Sequence, residues 1–304
     1  MSQAALTLTG LRKAYGRTQA LDGLDVEIPK GVVCGFIGPN GAGKTTTFGC
    51  IGGLIRHDAG SIDILGQGPL DHGKGKHVLS MLPQDCDLIP QVPVVAYLTH
   101  LARLQGMSKD EARKTAEQRL DEVALGDRAK ATIKQLSHGM KRRVAVAQAL
   151  LGDPQVVLLD EPTSGLDPDL VIRMRELFAS HRGDRTLVIS SHNLRELEAV
   201  CDHVVFIQRG RCVRSGTIDE VTQRGLVMRY WVERQFDLTK LVDKFADLDF
   251  RGDGGVLTVT APDGWTASKI NESIVPHLLE VDAGLVEIRH GQTLEDVYME
   301  DHRG

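Results

Sequence analysis

The chain has 304 residues, with 36 Lys and Arg against 41 Asp and Glu, a formal charge of -5, and 41% hydrophobic residues. This balance excludes a fully disordered chain, a strongly basic nucleic-acid binder and a protein drawn to anionic lipid by net charge. The length is that of about two domains. In chain order, Leu6 to Thr9 and Leu24 to Ile28 alternate like half-buried strands. Val32 to Ile37 is a continuous apolar run, as in a strand buried on both faces. A glycine-rich loop follows, then helix-compatible sequence from Lys44 to Leu54. Ser108 to Glu122 and Lys141 to Leu151 read as helices, and Val156 to Leu159 as a second buried strand. Leu170 to His181 is a helix, Leu187 to Ser190 a third buried strand, and Leu194 to Val200 a helix. Strand and helix in alternation predict an α/β core around a parallel sheet.

Arg209-Gly210-Arg211 and Ser215-Gly216 read as a turn-rich stretch between two segments. Beyond it, strands over Leu226 to Glu233, Leu248 to Phe250, Val256 to Thr260 and Leu285 to Arg289 alternate with helices over Leu238 to Phe245 and Thr266 to Leu279. The order β-α-β-β-α-β predicts a small α+β, ferredoxin-like domain over 222–304. Its Tyr230, Trp231, Phe250 and Trp265 read as core, and no site motif accompanies them. A regulatory or dimerising module is the role open to it.

The five cysteines, Cys34, Cys50, Cys86, Cys201 and Cys212, have neither zinc nor redox spacing, so a reduced, cytosolic setting is expected. Met1 to Ala5 lacks the start of a signal peptide, and no run approaches the ~18 apolar residues of a spanning helix. Work at a membrane then requires another chain to supply the spanning part.

Two motifs carry chemistry. Gly38-Pro39-Asn40-Gly41-Ala42-Gly43-Lys44-Thr45 fits G-x-x-x-x-G-K-[ST]. Glycines let the backbone wrap phosphates so that successive N–H groups point inward, and the helix behind adds its positive end. Lys44 would reach the β and γ phosphates, the Thr45 hydroxyl would ligate Mg²⁺, and Thr46 follows in the same loop. Alone, this motif says that a nucleoside triphosphate binds. Val156-Val157-Leu158-Leu159-Asp160-Glu161 is an apolar strand ending in two carboxylates. Asp160 is expected to hold Mg²⁺, and Glu161 to orient or deprotonate the attacking water.

Further pieces fall in order around these: Gln84, then Leu136-Ser137-His138-Gly139-Met140 before the acidic strand, Pro162-Thr163-Ser164-Gly165-Leu166-Asp167 after it, and His192 beyond the next strand. With them the chain resembles the ATP-binding subunit of an ABC transporter over residues 1 to about 218. The resemblance implies a P-loop ABC-type ATPase domain over 1–218, with a helical subdomain at about 85–152. It implies that Tyr15 stacks on adenine, that Gln84 touches Mg²⁺ and the attacking water, and that His192 contacts the γ phosphate. Ser137 and Gly139 would cap that phosphate from a second copy, and Asp167 would touch the dimer partner. Where the family's usual signature reads LSGGQ, this chain reads LSHGM, closer to exporter ATPases for drugs, lipids and polysaccharides. The closing Thr293-Leu294-Glu295-Asp296-Val297-Tyr298 points the same way.

The expected function is ATP hydrolysis by a homodimer on the cytoplasmic face of the membrane, driving export through a separate integral membrane permease, with no nucleic acid involved. Asp85 to Leu104 is the expected docking surface, or else packs within the helical subdomain. The alternatives are a soluble ABC ATPase with a non-transport role, disfavoured by a single cassette without a coiled-coil insertion, and a poorly hydrolysing regulator, disfavoured by Glu161.

Overall fold

The structure is a computed structural model, and it describes residues 4–71, 78–222, 227–234, 236–262 and 264–302. It divides into two units, Met1–Thr217 and Ile218–Gly304. The first unit runs β1 (Ala4–Tyr15), β2 (Thr18–Pro29), β3 (Val33–Ile37), α1 (Lys44–Ile51), β4 (Ala59–Ile64), β5 (Leu79–Leu82), α2 (Val94–Leu104) and α3 (Lys109–Glu122). It continues with α4 (His138–Ala149), β6 (Val156–Asp160), α5 (Pro168–Ala179), β7 (Thr186–Ser190), α6 (Leu194–Val200), β8 (His203–Gln208) and β9 (Arg211–Thr217).

A six-stranded sheet has the order β5-β6-β7-β3-β8-β9, parallel except for β9, and a three-stranded antiparallel sheet has the order β2-β1-β4. Every residue of β3, β6 and β7 is buried, which is why these strands read as unbroken apolar runs. Their register matters for function: Ser190 lies opposite both Phe36 and Asp160. The carboxyl ends of three adjacent strands therefore meet at one point, the usual place for a ligand in an open parallel sheet.

The turn-rich stretch at 209–216 does not separate two segments. Arg209-Gly210 turns a hairpin, both at positive φ, and Arg211–Thr217 pairs with β8 inside the first unit. As an edge strand with no fully buried residue, β9 carries polar residues that masked its pattern. The apolar residues of 85–104 divide: Val94, Tyr97 and Leu98 are buried in α2, while Ile89 before the helix and Leu104 at its end stand exposed. Among the described residues no helix is long and apolar enough to cross a membrane.

His181, just after α5, is buried. Burial, followed by the charges of Arg185 and Arg119, pushes its imidazole down from 6.5 to about 4. The unfolded chain therefore binds the extra proton first as pH falls. Stability tied to this group is full above about pH 6.5 and drains as pH falls towards 4. The urea midpoint of the wild type is expected to drop more between about pH 7 and 5 than that of His181→Leu; parallel midpoint profiles for the two proteins would remove His181 from the acid response.

The second unit contains α7 (Ile218–Val221), β10 (Val227–Val232), α8 (Thr239–Lys244), β11 (Asp249–Asp253), β12 (Val256–Thr260), α9 (Ala267–Glu280), β13 (Leu285–His290) and α10 (Leu294–His302). The sheet order β11-β12-β10-β13, antiparallel throughout, is that of the ferredoxin-like split motif. Met228, Tyr230, Leu257 and Val259 form its core with Ile270, Ile274 and Leu278 of α9. The Tyr230 hydroxyl donates to Asn271 Oδ1 at 2.8 Å, and burial pushes its phenol up. Trp265 and Phe250 pack against this core half-buried. Trp231 does not join it: strand alternation turns its ring to the other face, under the Arg289 guanidinium 5.0 Å from the ring centroid.

Candidate functional site

The site is built from the end of β3. Gly38 is required by space: a Cβ there would lie 2.4 Å from the Ile207 carbonyl oxygen. Gly43 is required by conformation, with φ 107 at the N-cap of α1, and a Cβ would also stand 2.6 Å from the Ala20 carbonyl oxygen. Lys44 opens α1, almost wholly buried, and its Nζ donates to the carbonyls of Gly38 at 2.6 Å and Pro39 at 3.3 Å. Burial lowers its pKa, while Glu161 and Asp160 pull the other way.

Asp160 ends β6 and is 1% exposed. The Thr45 hydroxyl donates to its Oδ2 at 2.9 Å and the Ser190 hydroxyl to its Oδ1. A hydroxyl and a carboxylate are hard oxygen donors, the kind Mg²⁺ takes. Among the described residues no cluster of three or more His, Cys, Asp or Glu is set to hold a metal. The two donors fit Mg²⁺, an ion that commonly takes one or two protein oxygens and fills its other positions from phosphate and water.

Glu161 has a left-handed backbone, φ 53, costly for a residue with a side chain. The surroundings hold it there. Its N–H donates to the Ser190 carbonyl at 3.1 Å and Oγ at 3.2 Å. Its carbonyl accepts from Arg142 Nε at 3.1 Å and Nη2 at 2.9 Å. The turn aims the carboxylate outward, where Oε2 meets Nδ1 of the exposed His192 at 2.9 Å. Arg142, in α4 and itself buried, also donates to the carbonyls of Pro83 at 3.3 Å, Gln84 at 2.9 Å and Asp160. One guanidinium thus ties the signature helix, the Gln84 segment and the end of β6 together.

A cleft of about 470 Å³ brings together Tyr15, Pro39, Asn40, Gly41, Gly43, Lys44, Thr45, Thr46, Gln84, Asp160 and Glu161. Thr18, Gln19 and Ala20 of β2 line it too, positions that no motif marks. Tyr15 is half exposed, with Lys13 Nζ 5.5 Å from its ring centroid. A second cleft joins Gln84, Glu161 and His192 to Asn40, Arg142 and His138, so the side chain replacing the usual signature glycine lines the same cleft as Glu161. Gly38 and Ala42 shape the loop without lining the first cleft.

Ser137, Gly139 and Asp167 lie outside that first cleft. Ser137 caps α4, accepting from Met140 N at 3.2 Å. Gly139 abuts the loop between β6 and α5: a Cβ there would stand 3.2 Å from the Gly165 carbonyl oxygen. Asp167 is exposed at the N-cap of α5. Sequence reasoning missed Arg142 and Ser190. Ser190 carried a signal, since it ends a buried strand beside His192; Arg142 carried none, because its partners are backbone carbonyls.

The family model described as ABC transporter matches residues 21–164. The linearmycin resistance ATP-binding protein LnrL of Bacillus subtilis (strain 168) is 34% identical over 221 residues, which cover 72% of this chain and 71% of that one. The Nod factor export ATP-binding protein I of Ralstonia nicotianae is 35% identical over 225 residues, 72% of this chain and 69% of that one. Among solved structures, the dimeric post-hydrolysis state of the ATP-binding cassette MJ0796 bound to ADP and Pi superposes with a TM-score of 0.65. It is 25% identical, covering 70% of this chain and 98% of that one. With a phosphate loop, an acidic strand end and relatives of this identity and coverage, the chain belongs to the ATP-binding proteins of ABC transporters.

Proposed function

We propose that this ATPase drives export through a separate integral membrane permease, working as a homodimer that closes over two ATP molecules. The observation that carries the hydrolytic part is the convergence of Lys44, Thr45, Asp160 and Glu161 at the ends of β3 and β6. Lys44 and the loop amides bind the β and γ phosphates. Thr45, Asp160 and Gln84 would hold Mg²⁺, which would supply charge stabilisation on the phosphates. Glu161 takes the proton of the attacking water, and His192, bonded to Glu161, reaches the γ phosphate. Tyr15 supplies a flat exposed face for the base.

Ser137 and Gly139 act on the ATP of the second copy, and Asp167 on its dimer contact. Their position outside the Lys44 cleft of their own chain supports this. The N-terminus of α4, capped by Ser137, offers free amides and a positive end to phosphate. The permease docks on the helical subdomain near exposed Ile89 and Leu104, on the cytoplasmic side. Export as the direction rests on relatives named for resistance and Nod factor export. Closing on ATP can move the permease only through differential affinity for its two states.

The test is steady-state ATP turnover of the purified chain, alone and with the integral membrane protein that co-purifies with it. Stimulation by the membrane protein is expected. A membrane fraction that yields no co-purifying partner and leaves turnover unchanged would move the chain to a non-transport role.

A further inference from the structure

Among the described residues β13 ends the sheet of the second unit, with β10 on one side only. Gly291 N donates to the Val227 carbonyl at 2.6 Å, so by strand alternation the amides and carbonyls of 287 and 289 face β10 while those of Ile288 and His290 face outward. An open edge of this kind is a template for another strand unless charge, proline or a bulge blunts it. Val286 and Ile288 stand exposed on this edge, at 64% and 39%, and the exposed charges between and beside them, Glu287 and Arg289, pair with each other. The one register shift against β10 lies at the far end, between the partners of Trp231 and Val232.

We infer that β13 pairs antiparallel with β13 of a second copy of this chain, about a two-fold axis through Ile288. The charge pattern selects both the partner and the register. Glu287 and Arg289 lie on one face, 2.6 Å apart, flanking Ile288. An axis through Ile288 sets each Glu287 opposite the other copy's Arg289, twice over, and Ile288 against itself. An axis through residue 287 sets Glu against Glu, and one through 289 sets Arg against Arg, both unfavourable. The outward amide and carbonyl of Ile288 then make the hydrogen-bonded pair at the axis. The two four-stranded sheets become one continuous sheet. This contact needs no nucleotide, so it stands or falls apart from the ATP-closed dimer proposed above.

The experiment uses the full chain without nucleotide. Cα atoms of a hydrogen-bonded antiparallel pair lie about 5.5 Å apart, within disulfide reach. Mild oxidation of Ile288→Cys is therefore expected to give a covalent dimer, while wild type, with its own five cysteines, and Glu272→Cys, at an exposed position of α9, do not. In sedimentation, Glu287→Lys and Arg289→Glu should each weaken self-association by about tenfold, and the double variant should restore it. Ile288→Cys cross-linking no better than Glu272→Cys, or a double variant as weak as the singles, overturns the pairing.

Discussion

Glu161→Gln is expected to lower ATP turnover by about 10²–10⁴-fold while ATP binding persists. Gln has the same shape and cannot accept the proton of the attacking water. The substitution leaves the anchors intact, because Ser190 and Arg142 grip the Glu161 backbone rather than its side chain. The left-handed turn costs Gln no more than Glu, so the fold and the Lys44 cleft should survive. What changes is the carboxylate oxygen 2.9 Å from His192, and with it the proton-accepting group at the mouth of the cleft. Nucleotide should then accumulate unhydrolysed in a dimer. Single-turnover and steady-state assays on wild type and variant, with filter binding of ATP, read this directly. Near-normal turnover in Glu161→Gln would place proton removal on another group.

Arg142→Ala should be the most damaging change outside the motifs. The guanidinium donates to four carbonyls from two segments, 83–84 and 160–161, and its bonds to Gln84 and Glu161 all measure 3.1 Å or less. Removing it leaves those acceptors short of partners in a buried place, each at a cost of about 1–3 kcal/mol. A total loss of about 4 kcal/mol or more is expected, visible as a large fall in melting temperature. Arg142→Lys separates support from alignment. Its point charge can satisfy one or two carbonyls but not the planar fork of contacts. The Lys variant should regain part of the stability and still turn over at least about tenfold more slowly, since about 1.4 kcal/mol of misplacement suffices for that. A variant that melts and hydrolyses like wild type would show that the Gln84 segment and the Glu161 turn hold themselves.

How much of this was legible follows from what each residue touches. β3, β6 and β7 announce themselves because strands buried on both faces must be apolar throughout. β5 is four residues, only Leu82 of them buried, and β9 has no buried residue, so neither carries a pattern. α2 starts after Pro93 and buries Val94, Tyr97, Leu98 and Ala102, a helical spacing hidden behind the proline and the β-branched run Val92 to Val95. The Lys44 cleft was legible because phosphate binding demands residue types: glycines that fit the turn, a lysine, a hydroxyl, a carboxylate. Arg142 was not, since its work is done on peptide oxygens, which every residue has. It reaches carbonyls as far as 59 positions away. The left-handed turn at Glu161 is equally silent in sequence, because neighbours impose it against the residue's own preference.

The strand order has a consequence for how the protein is made. β3 carries the phosphate loop at its end, yet its partners in the sheet are β7 and β8, with Val33 beside Leu187 and Cys34 beside His203. A chain emerging from the ribosome exposes β3 and its apolar faces long before either partner exists. Contacts so far apart in sequence form slowly and leave strand edges unpaired meanwhile. The nucleotide cleft cannot be assembled while the first half is being synthesised, because Asp160 and Glu161 line it, and Ser190, which bonds Asp160, comes later still. For that interval the nascent first unit presents apolar strand faces without their partners, and ATP can help to hold it only once Asp160 and Glu161 have been added to the cleft.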